Sequence, residues 1–301
     1  MAPIFVILAA VFWGGLFIFV RAFSNAGFSS AEIVFLRCLS SAFWLFLYVY
    51  ATERKNRSAD GSPAMRLKIR DIWCFAGAGL ISIVFFSWCY FKNVAVTSAA
   101  FASVLMYTSP IFVMLLSALL FKEPLTRIKL GILVIAILGT SLVCGIFNNT
   151  TAIKFSFEGI LLGLGSGIGY ALYSIFGTMA LIRGYRPLVV TFYTFIFAAC
   201  GSLLLIDLPP LFAKLIAGGL FPLAFAMGLF GSCLPFALYT IGLSRMESGR
   251  AAVLATLEPI VSAVLGIIIY GEVLSVSEIT GIVLVLSAGI LTVKLPKPKT
   301  H

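Results

Sequence analysis

Long apolar runs separated by short polar connections fill almost the whole chain. A helix that crosses the hydrocarbon core of a membrane needs about 20 mostly apolar residues. Ten runs have about this length, at roughly 3 to 22, 31 to 51, 72 to 91, 97 to 121, 128 to 147, 158 to 182, 188 to 206, 219 to 243, 249 to 270 and 277 to 294. The pattern predicts an all-α polytopic membrane protein with ten transmembrane helices. The first run lacks a basic n-region and is longer than a signal h-region, so we expect a retained helix.

Part of this pattern occurs twice. Residues 90–125, shifted by 149 positions, align with residues 239–274 and are identical at nine of 36 pairs. Because each unit contains five helices, the second unit must enter the membrane in the opposite orientation. The sequence therefore predicts two inverted five-helix repeats, 1–148 and 156–295. Secondary transporters with a site between the halves, near the bilayer midplane, are built in this way.

In both copies a proline lies inside an apolar run, Pro110 in helix four and Pro259 in helix nine. Proline has no backbone N–H, so the carbonyl four residues earlier loses its helical partner. The carbonyls concerned belong to Met106 and Ala255. A free carbonyl is costly in hydrocarbon, and such breaks persist where protein, water or a ligand can satisfy it. The two predicted breaks are therefore a candidate binding centre.

Composition agrees with a membrane protein and explains the charge. Hydrophobic residues make up 61% of the chain and charged residues 11%, against about 25% charged residues in soluble domains. The net charge is +10. With both termini in the cytoplasm, 16 Lys and Arg residues fall inside, four fall outside, and Arg37 lies within helix two. The positive-inside rule accounts for this asymmetry, so no nucleic-acid partner is predicted. The largest basic group in one loop is Arg54, Lys55, Arg57, Arg66, Lys68 and Arg70.

Several classes of chemistry lack the residues that they need. The single histidine is His301, which excludes histidine-based catalysis and histidine-ligated metal sites. All six cysteines lie in apolar runs without a CxxC pair, which is typical of small packing residues. No ATP-binding motif is present. We therefore expect no enzyme active site, no cofactor and no metal, and transport by facilitation, exchange or ion coupling.

Taken together, the residues resemble a known family. The features are Trp13 and Gly14 in helix one, Arg37 in helix two, Ser109 before Pro110, Glu258 before Pro259, and Glu123 and Glu272 before a Leu-Thr or Leu-Ser helix start. In this order and repetition they resemble the EamA type of the drug/metabolite transporter superfamily. The resemblance implies an inner-membrane carrier that works by alternating access. It also implies a cavity lined by helices one, three, four, six, eight and nine, and substrates such as amino acids, other metabolites, sugar derivatives or toxic compounds, mostly exported.

The predicted substrate-binding side chains come from the broken helices and their neighbours. Ser103, Tyr107 and Pro110 share one helix face by their spacing, and Tyr90 lies nearby in helix three. An aromatic, hydroxyl-rich cavity with little charge suits small amphiphilic solutes better than polyanions. The alternative is that the aromatic residues pack the core or lie in the interfacial belt. The predicted set is Trp13, Ser87, Trp88, Ser103, Tyr107, Ser109, Pro110, Tyr170, Tyr173, Tyr239, Thr256, Glu258 and Pro259.

Four charged residues have two interpretations each. Glu258 lies about 13 Å into helix nine by the helical rise, where a charge costs about 2.5 to 3.5 kcal/mol. It either satisfies backbone donors at the break or binds a substrate amine or a proton. Arg37, taken as the only buried cation, either serves function or interacts with backbone carbonyls and the interface. Glu123 and Glu272 are either helix-end residues or gating residues.

The sequence thus predicts a secondary transporter, an exporter of small metabolites such as amino acids or related amphiphilic solutes. The alternatives are a channel or facilitator for small solutes, and an uptake carrier for sugar-type or quaternary amine substrates. The expected partners are a small-molecule substrate and the lipid bilayer of the bacterial inner membrane. Both a monomer and a homodimer are compatible with the sequence.

Overall fold

The computed structural model describes residues 2–53, 65–145 and 156–295, which form an all-helical bundle. Ten spans follow one another along the chain, and successive spans are antiparallel. The first repeat contains α1 (Ala2–Asn25), α2 (Ser30–Glu53), α3 (Ile69–Val96), α4 (Ala99–Phe121) and α5 (Arg127–Val143). The second contains α6 (Phe157–Ile182), α7 (Pro187–Leu203), α8 (Phe221–Leu243), α9 (Ser248–Tyr270) and α10 (Val276–Lys294). The predicted fold class is confirmed.

The bundle has two distinct ends. Ala2 and Lys294 lie at the same end because the number of spans between them is even. We call this the terminal end, and the opposite end, where α1 meets α2 and α9 meets α10, the distal end. Part of the predicted basic loop and three further predicted features lie outside the described residues: Arg54, Lys55, Arg57, Lys154, His301 and the repeat boundary at 148.

The spans differ in how they cross. Eight of them are helical stretches of 19 to 28 residues. α5 has 17 residues, about 26 Å at 1.5 Å per residue. α7 ends at Leu203 and is followed, after a 106° bend, by the short helix Leu208–Gly218. This short helix is absent from the predicted elements. It begins with Leu208 followed by two prolines, which lack the N–H groups needed to continue the hydrogen bonds of α7.

The broken helices repeat residue by residue. α4 consists of Ala99–Met106 and Ser109–Phe121, and α9 consists of Ser248–Ala255 and Glu258–Tyr270. The start and end of each half of α4 correspond to the start and end of the equivalent half of α9 by the shift of 149 positions. The first halves end at Met106 and Ala255, the two residues whose carbonyls the prolines were predicted to leave unpaired. The two prolines therefore cause the helix breaks, as the sequence predicts.

The repeat also extends to features that the sequence analysis did not predict. Each broken helix ends on a left-handed residue, Lys122 with φ 57° and Gly271 with φ 67°, and 122 and 271 differ by 149. α3 contains a π-helical segment at Gly77–Phe85 and α8 contains one at Leu229–Cys233. Shifting the α8 segment back by 149 positions places it within the α3 segment. Such wide turns are often found at functional sites.

Close backbone packing joins the two repeats at α5 and α10. A Cβ added to Gly281 would lie 2.6 Å from the carbonyl oxygen of Gly139 and 2.7 Å from the amide nitrogen of Val143. Small residues permit such close approach between membrane helices. Gly281 and Gly139 are therefore required for this contact, which holds the outer side of the bundle together.

Candidate functional site

A cavity of about 560 Å³ lies between the two repeats. α1, α2, α3, α4 and α9 supply most of its wall, and the ends of α5 and α10 complete it. A smaller adjoining pocket is lined by α1, α2, α3, α6 and α8. The six helices implied by the family resemblance thus all contribute to the two spaces together, and α2 contributes to both.

The cavity reaches the distal end of the bundle. Ala99 and Ala100 at the start of α4, Cys144 after α5, and Glu272 and Glu278 near the start of α10 line its mouth. Its deep part is lined by Trp13 and Glu258, which lie in the middle of α1 and α9, and by Arg37, which lies two turns into α2 from its distal end. The described residues therefore form a space that a solute can enter from the distal end and follow to the level of the helix breaks.

Aromatic side chains close the space beneath the cavity. The ring centroid of Trp13 lies 5.0 Å from that of Phe236 and 5.3 Å from that of Tyr239. The hydroxyl groups of this cluster are paired, because Tyr239 and Ser174 share a hydrogen bond of 2.8 Å between their side-chain oxygens. Tyr173 makes a similar bond of 2.7 Å to Thr240. These bonds fix the rings in place and make the cluster a floor for the cavity.

The terminal end is held shut by polar contacts between the repeats. Lys129 Nζ lies 2.8 Å from Glu247 Oε2, and the two side chains are 11% and 9% exposed. Glu123 accepts hydrogen bonds from the amides of Ser248 at 2.8 Å and Gly249 at 3.3 Å. These contacts join the α4–α5 connection and the first turn of α5 to the start of α9. The bundle is thus open at one end and closed at the other.

Two opposite charges face the cavity. Glu258 Oε2 accepts a hydrogen bond of 3.4 Å from the hydroxyl of Tyr170, and Tyr107 lines the same cavity. Arg37 lines both the cavity and the adjoining pocket. Its buried Nε has no hydrogen-bond partner within residues 2–53, 65–145 and 156–295. The hydrogen-bonding capacity of this nitrogen is therefore unused in the present state.

The expectation that Arg37 is the only buried cation is wrong. Lys129 and Arg250 are 9% and 6% exposed, whereas Arg37 is partly exposed to the cavity. Lys129 is neutralised by Glu247, and Arg250 donates hydrogen bonds to the carbonyls of Thr292 and Leu295. These two cations hold the terminal end together, and Arg37 differs from them in facing the cavity.

The predicted site residues fall into three groups. Trp13, Ser87, Ser103, Tyr107, Glu258 and Pro259 line the main cavity, with Glu272 at its mouth. Tyr170, Tyr173 and Tyr239 line the adjoining pocket. The structure does not bring the others to either space: Ser109, Pro110 and Thr256 are buried in the packing, Glu123 lies at the terminal end, and Trp88 is 49% exposed and lines a separate groove.

Some lining residues were missed by the sequence analysis. Phe86 lies one turn before Tyr90, and Ser262 lies one turn after Glu258 on the same helix face. Both could have been found by extending the predicted faces by four residues. Tyr90 itself hydrogen-bonds Ser103 at 3.0 Å between their hydroxyl oxygens. Arg21 and Cys144 gave no such signal because their position depends on the packing of α1 and α5.

The chain is similar to known proteins over nearly its whole length. It is 26% identical to an uncharacterized transporter of Archaeoglobus fulgidus, over 95% of this chain and 93% of that one. It is also 26% identical to the uncharacterized inner membrane transporter YicL of Salmonella typhimurium, over 95% and 93% of the two chains. A protein in a solved crystal structure matches with a TM-score of 0.74 and 17% identity, over 96% and 95% of the two chains, which shows a shared fold.

A family model matches twice, once in each half of the chain. The matched residues are 1–145 and 157–294, and the model describes the EamA-like transporter family. Multi-pass helices, the duplicated unit and the relatives named above agree with this match. The protein is a membrane transporter, and its chain belongs to the EamA-like transporter family.

Proposed function

We propose that the protein is a secondary carrier that exports small zwitterionic metabolites of the amino-acid type by alternating access. The observation that supports it best is the pair of opposite charges, Arg37 and Glu258, in the wall of one cavity. A volume of about 560 Å³ lies within the range of about 300 to 1,000 Å³ that small-molecule sites occupy.

The chemistry of the wall matches such a solute. The planar guanidinium of Arg37 suits a carboxylate, which it can bind with two parallel hydrogen bonds. Glu258 suits an ammonium group. Trp13, Phe86 and Tyr90 offer aromatic surface for an apolar side chain. A zwitterion would bring one partner to each of the two charges, whereas an ion of one sign would pair with only one of them.

The two ends of the bundle favour a carrier over a channel. A channel needs a continuous path, but the Trp13 cluster and the contacts between Lys129 and Glu247 close one end while the other is open. Inverted repeats of this kind support alternating access through exchange between two such arrangements. The export direction rests on the family resemblance.

Orientation follows from the positive-inside rule. We propose that the terminal end faces the cytoplasm of the cell and that the distal end, with the cavity mouth, faces outside the inner membrane. Reporter fusions at residue 60 and at the C-terminus should both give a cytoplasmic signal. An external signal at either position would reverse the proposed orientation.

Ligand-induced thermal stabilisation of the purified protein tests the proposed substrate class. A ligand at 100 times its dissociation constant adds about 2.7 kcal/mol to stability. We expect intact amino acids to stabilise the protein, and the matching amines without the carboxylate and acids without the ammonium group to do so far less. Stabilisation by sugars, nucleosides or quaternary amines, without an effect of amino acids, would overturn the proposal.

A further inference from the structure

The two glutamates that end the broken helices are equivalent by the repeat but differ in what they bind. Glu123 and Glu272 are related by the shift of 149 positions. Glu123 accepts hydrogen bonds from the amides of Ser248 and Gly249, the first residues of α9. Within the described part of the chain, the carboxylate of Glu272 has neither a hydrogen bond nor an ion pair, and it lies beside Gly266 of its own helix.

The amides that would correspond to this contact in the other repeat have no carboxylate partner within the described residues. Subtracting 149 from Ser248 and Gly249 gives Ala99 and Ala100, the first residues of α4. The first amides of a helix have no partner inside the helix, and among the described residues no carboxylate contacts these two. Ser248 is 1% exposed, whereas Ala99 is exposed and lines the cavity mouth together with Glu272. The residues equivalent to this contact are therefore present at the open end, but the contact itself is not formed there.

We infer that Glu123 and Glu272 form a reciprocal latch, in which each glutamate closes its own end of the cavity by binding the first amides of the opposite broken helix. In the present state the Glu123 contact is made and the Glu272 contact is open. When the distal end closes, the carboxylate of Glu272 binds the amides of Ala99 and Ala100, and the amides of Ser248 and Gly249 leave Glu123. The inference rests on the proposed alternating access. It assigns the residues that determine which end of the cavity is open.

Elementary electrostatics favours both contacts. The start of a helix carries unpaired N–H groups and a partial positive charge, so a carboxylate placed there is stabilised. A purely local role at the helix end would make the two glutamates behave alike, because each follows a left-handed residue at the same position of its repeat. They do not behave alike. The difference coincides with the difference between the closed and the open end.

Substitutions at the two glutamates should have opposite effects on the conformational equilibrium. Glu272→Gln weakens a contact made only when the distal end is closed, and Glu123→Gln weakens one made only when it is open. The loss of such a cap changes an equilibrium by about five- to thirty-fold. We therefore expect the ratio of distally closed to distally open molecules to fall by this factor in Glu272→Gln and to rise by this factor in Glu123→Gln.

A second variant removes the other partner of the open contact. Ala99→Pro deletes the Ala99 N–H at the first position of α4, where proline is favoured in helices. The preceding residue, Ser98, has φ −156° and ψ 159°, which is the extended backbone that a following proline requires. This variant should reproduce Glu272→Gln, and the double variant should add little to either, because both remove the same interaction.

The measurement is the distance distribution between spin labels on cysteines introduced at Ala95 and Val276, which lie at the distal ends of α3 and α10, with full-length protein in lipid nanodiscs. Cys144 and Cys200, which are not buried, are replaced by alanine so that the labels react at the chosen positions. Glu158→Gln is the matched control, since Glu158 is an acidic residue at the distal end that pairs with Lys92 outside the mouth.

The latch is supported if the short-distance population falls in Glu272→Gln and Ala99→Pro, rises in Glu123→Gln and is unchanged in the control. It is overturned if the two glutamate variants move the population in the same direction, or if either leaves it unchanged. The readout needs no substrate. A failure of the amino-acid proposal would therefore leave the distance result standing, and a failure of the latch would leave the binding result standing.

Discussion

Replacing Glu258 by glutamine changes the charge in the cavity with little change in shape. Glutamine keeps an oxygen that can accept the hydrogen bond from Tyr170, which measures 3.4 Å in the native protein. We therefore expect the folded yield to be retained. What is lost is the negative charge opposite Arg37, which is the proposed partner of a substrate ammonium group.

The size of the effect follows from the contact that is lost. A hydrogen bond to a charged group contributes about 1.5 to 3 kcal/mol, and each 1.4 kcal/mol corresponds to about tenfold in affinity. Glu258→Gln should thus raise the Kd for an amino acid by about 10- to 150-fold. An analogue that lacks the ammonium group should bind the variant and the native protein equally well.

Isothermal titration of the purified protein measures these affinities directly. Glu158→Gln is again the control, because it removes one carboxylate of a pair whose side chains are 46% and 57% exposed, and neither residue lines the cavity. An unchanged Kd for amino acids in Glu258→Gln would refute the proposed contact. Glu258 would then be a residue that satisfies backbone donors at the helix break, which is the other interpretation given by the sequence.

Two further predictions concern stability, measured by denaturant-induced unfolding in mixed micelles. Lys129→Met leaves Glu247 buried without its partner and should lower the free energy of unfolding by about 3 to 5 kcal/mol. The double variant with Glu247→Leu should recover most of this loss. Equal losses in the single and double variants would contradict the account. Gly281→Ala inserts a Cβ between α5 and α10 and should cost about 1 to 3 kcal/mol, whereas Gly131→Ala, with open space at its Cβ, should be neutral or gain up to about 1 kcal/mol.

Much of the fold could be predicted because the relevant signals are local. The apolar runs predicted ten spans, and the prolines at 110 and 259 predicted where the two helices break. The glutamates at 123 and 272 were recognised from the shift alone. The π-helical segments could not be predicted, because nothing in residues 77–85 marks them. The burial of Lys129 and Arg250 was also missed, since their partners lie in the other repeat or in a distant helix.

The candidate site was predicted in part for the same reason. Tyr107 and Glu258 flank the helix breaks, so their place in the cavity follows from the local pattern. Trp88 has the composition of a site residue, but the cavity face of this part of α3 is formed by Ser87 and Tyr90. Trp88 follows Ser87 directly, about 100° further around the helix. Its side chain therefore lies on the outer surface, 49% exposed.

The central claim is alternating access to one binding site, and counterflow tests it most directly. Proteoliposomes are loaded with a high concentration of an unlabelled amino acid and diluted into a trace of the same amino acid in labelled form. If the carrier opens alternately to the two sides of the membrane, the label should accumulate transiently inside the proteoliposomes above its equilibrium concentration. This accumulation should disappear when the internal amino acid is omitted. Label that merely equilibrates, at a rate independent of the internal amino acid, would contradict the account.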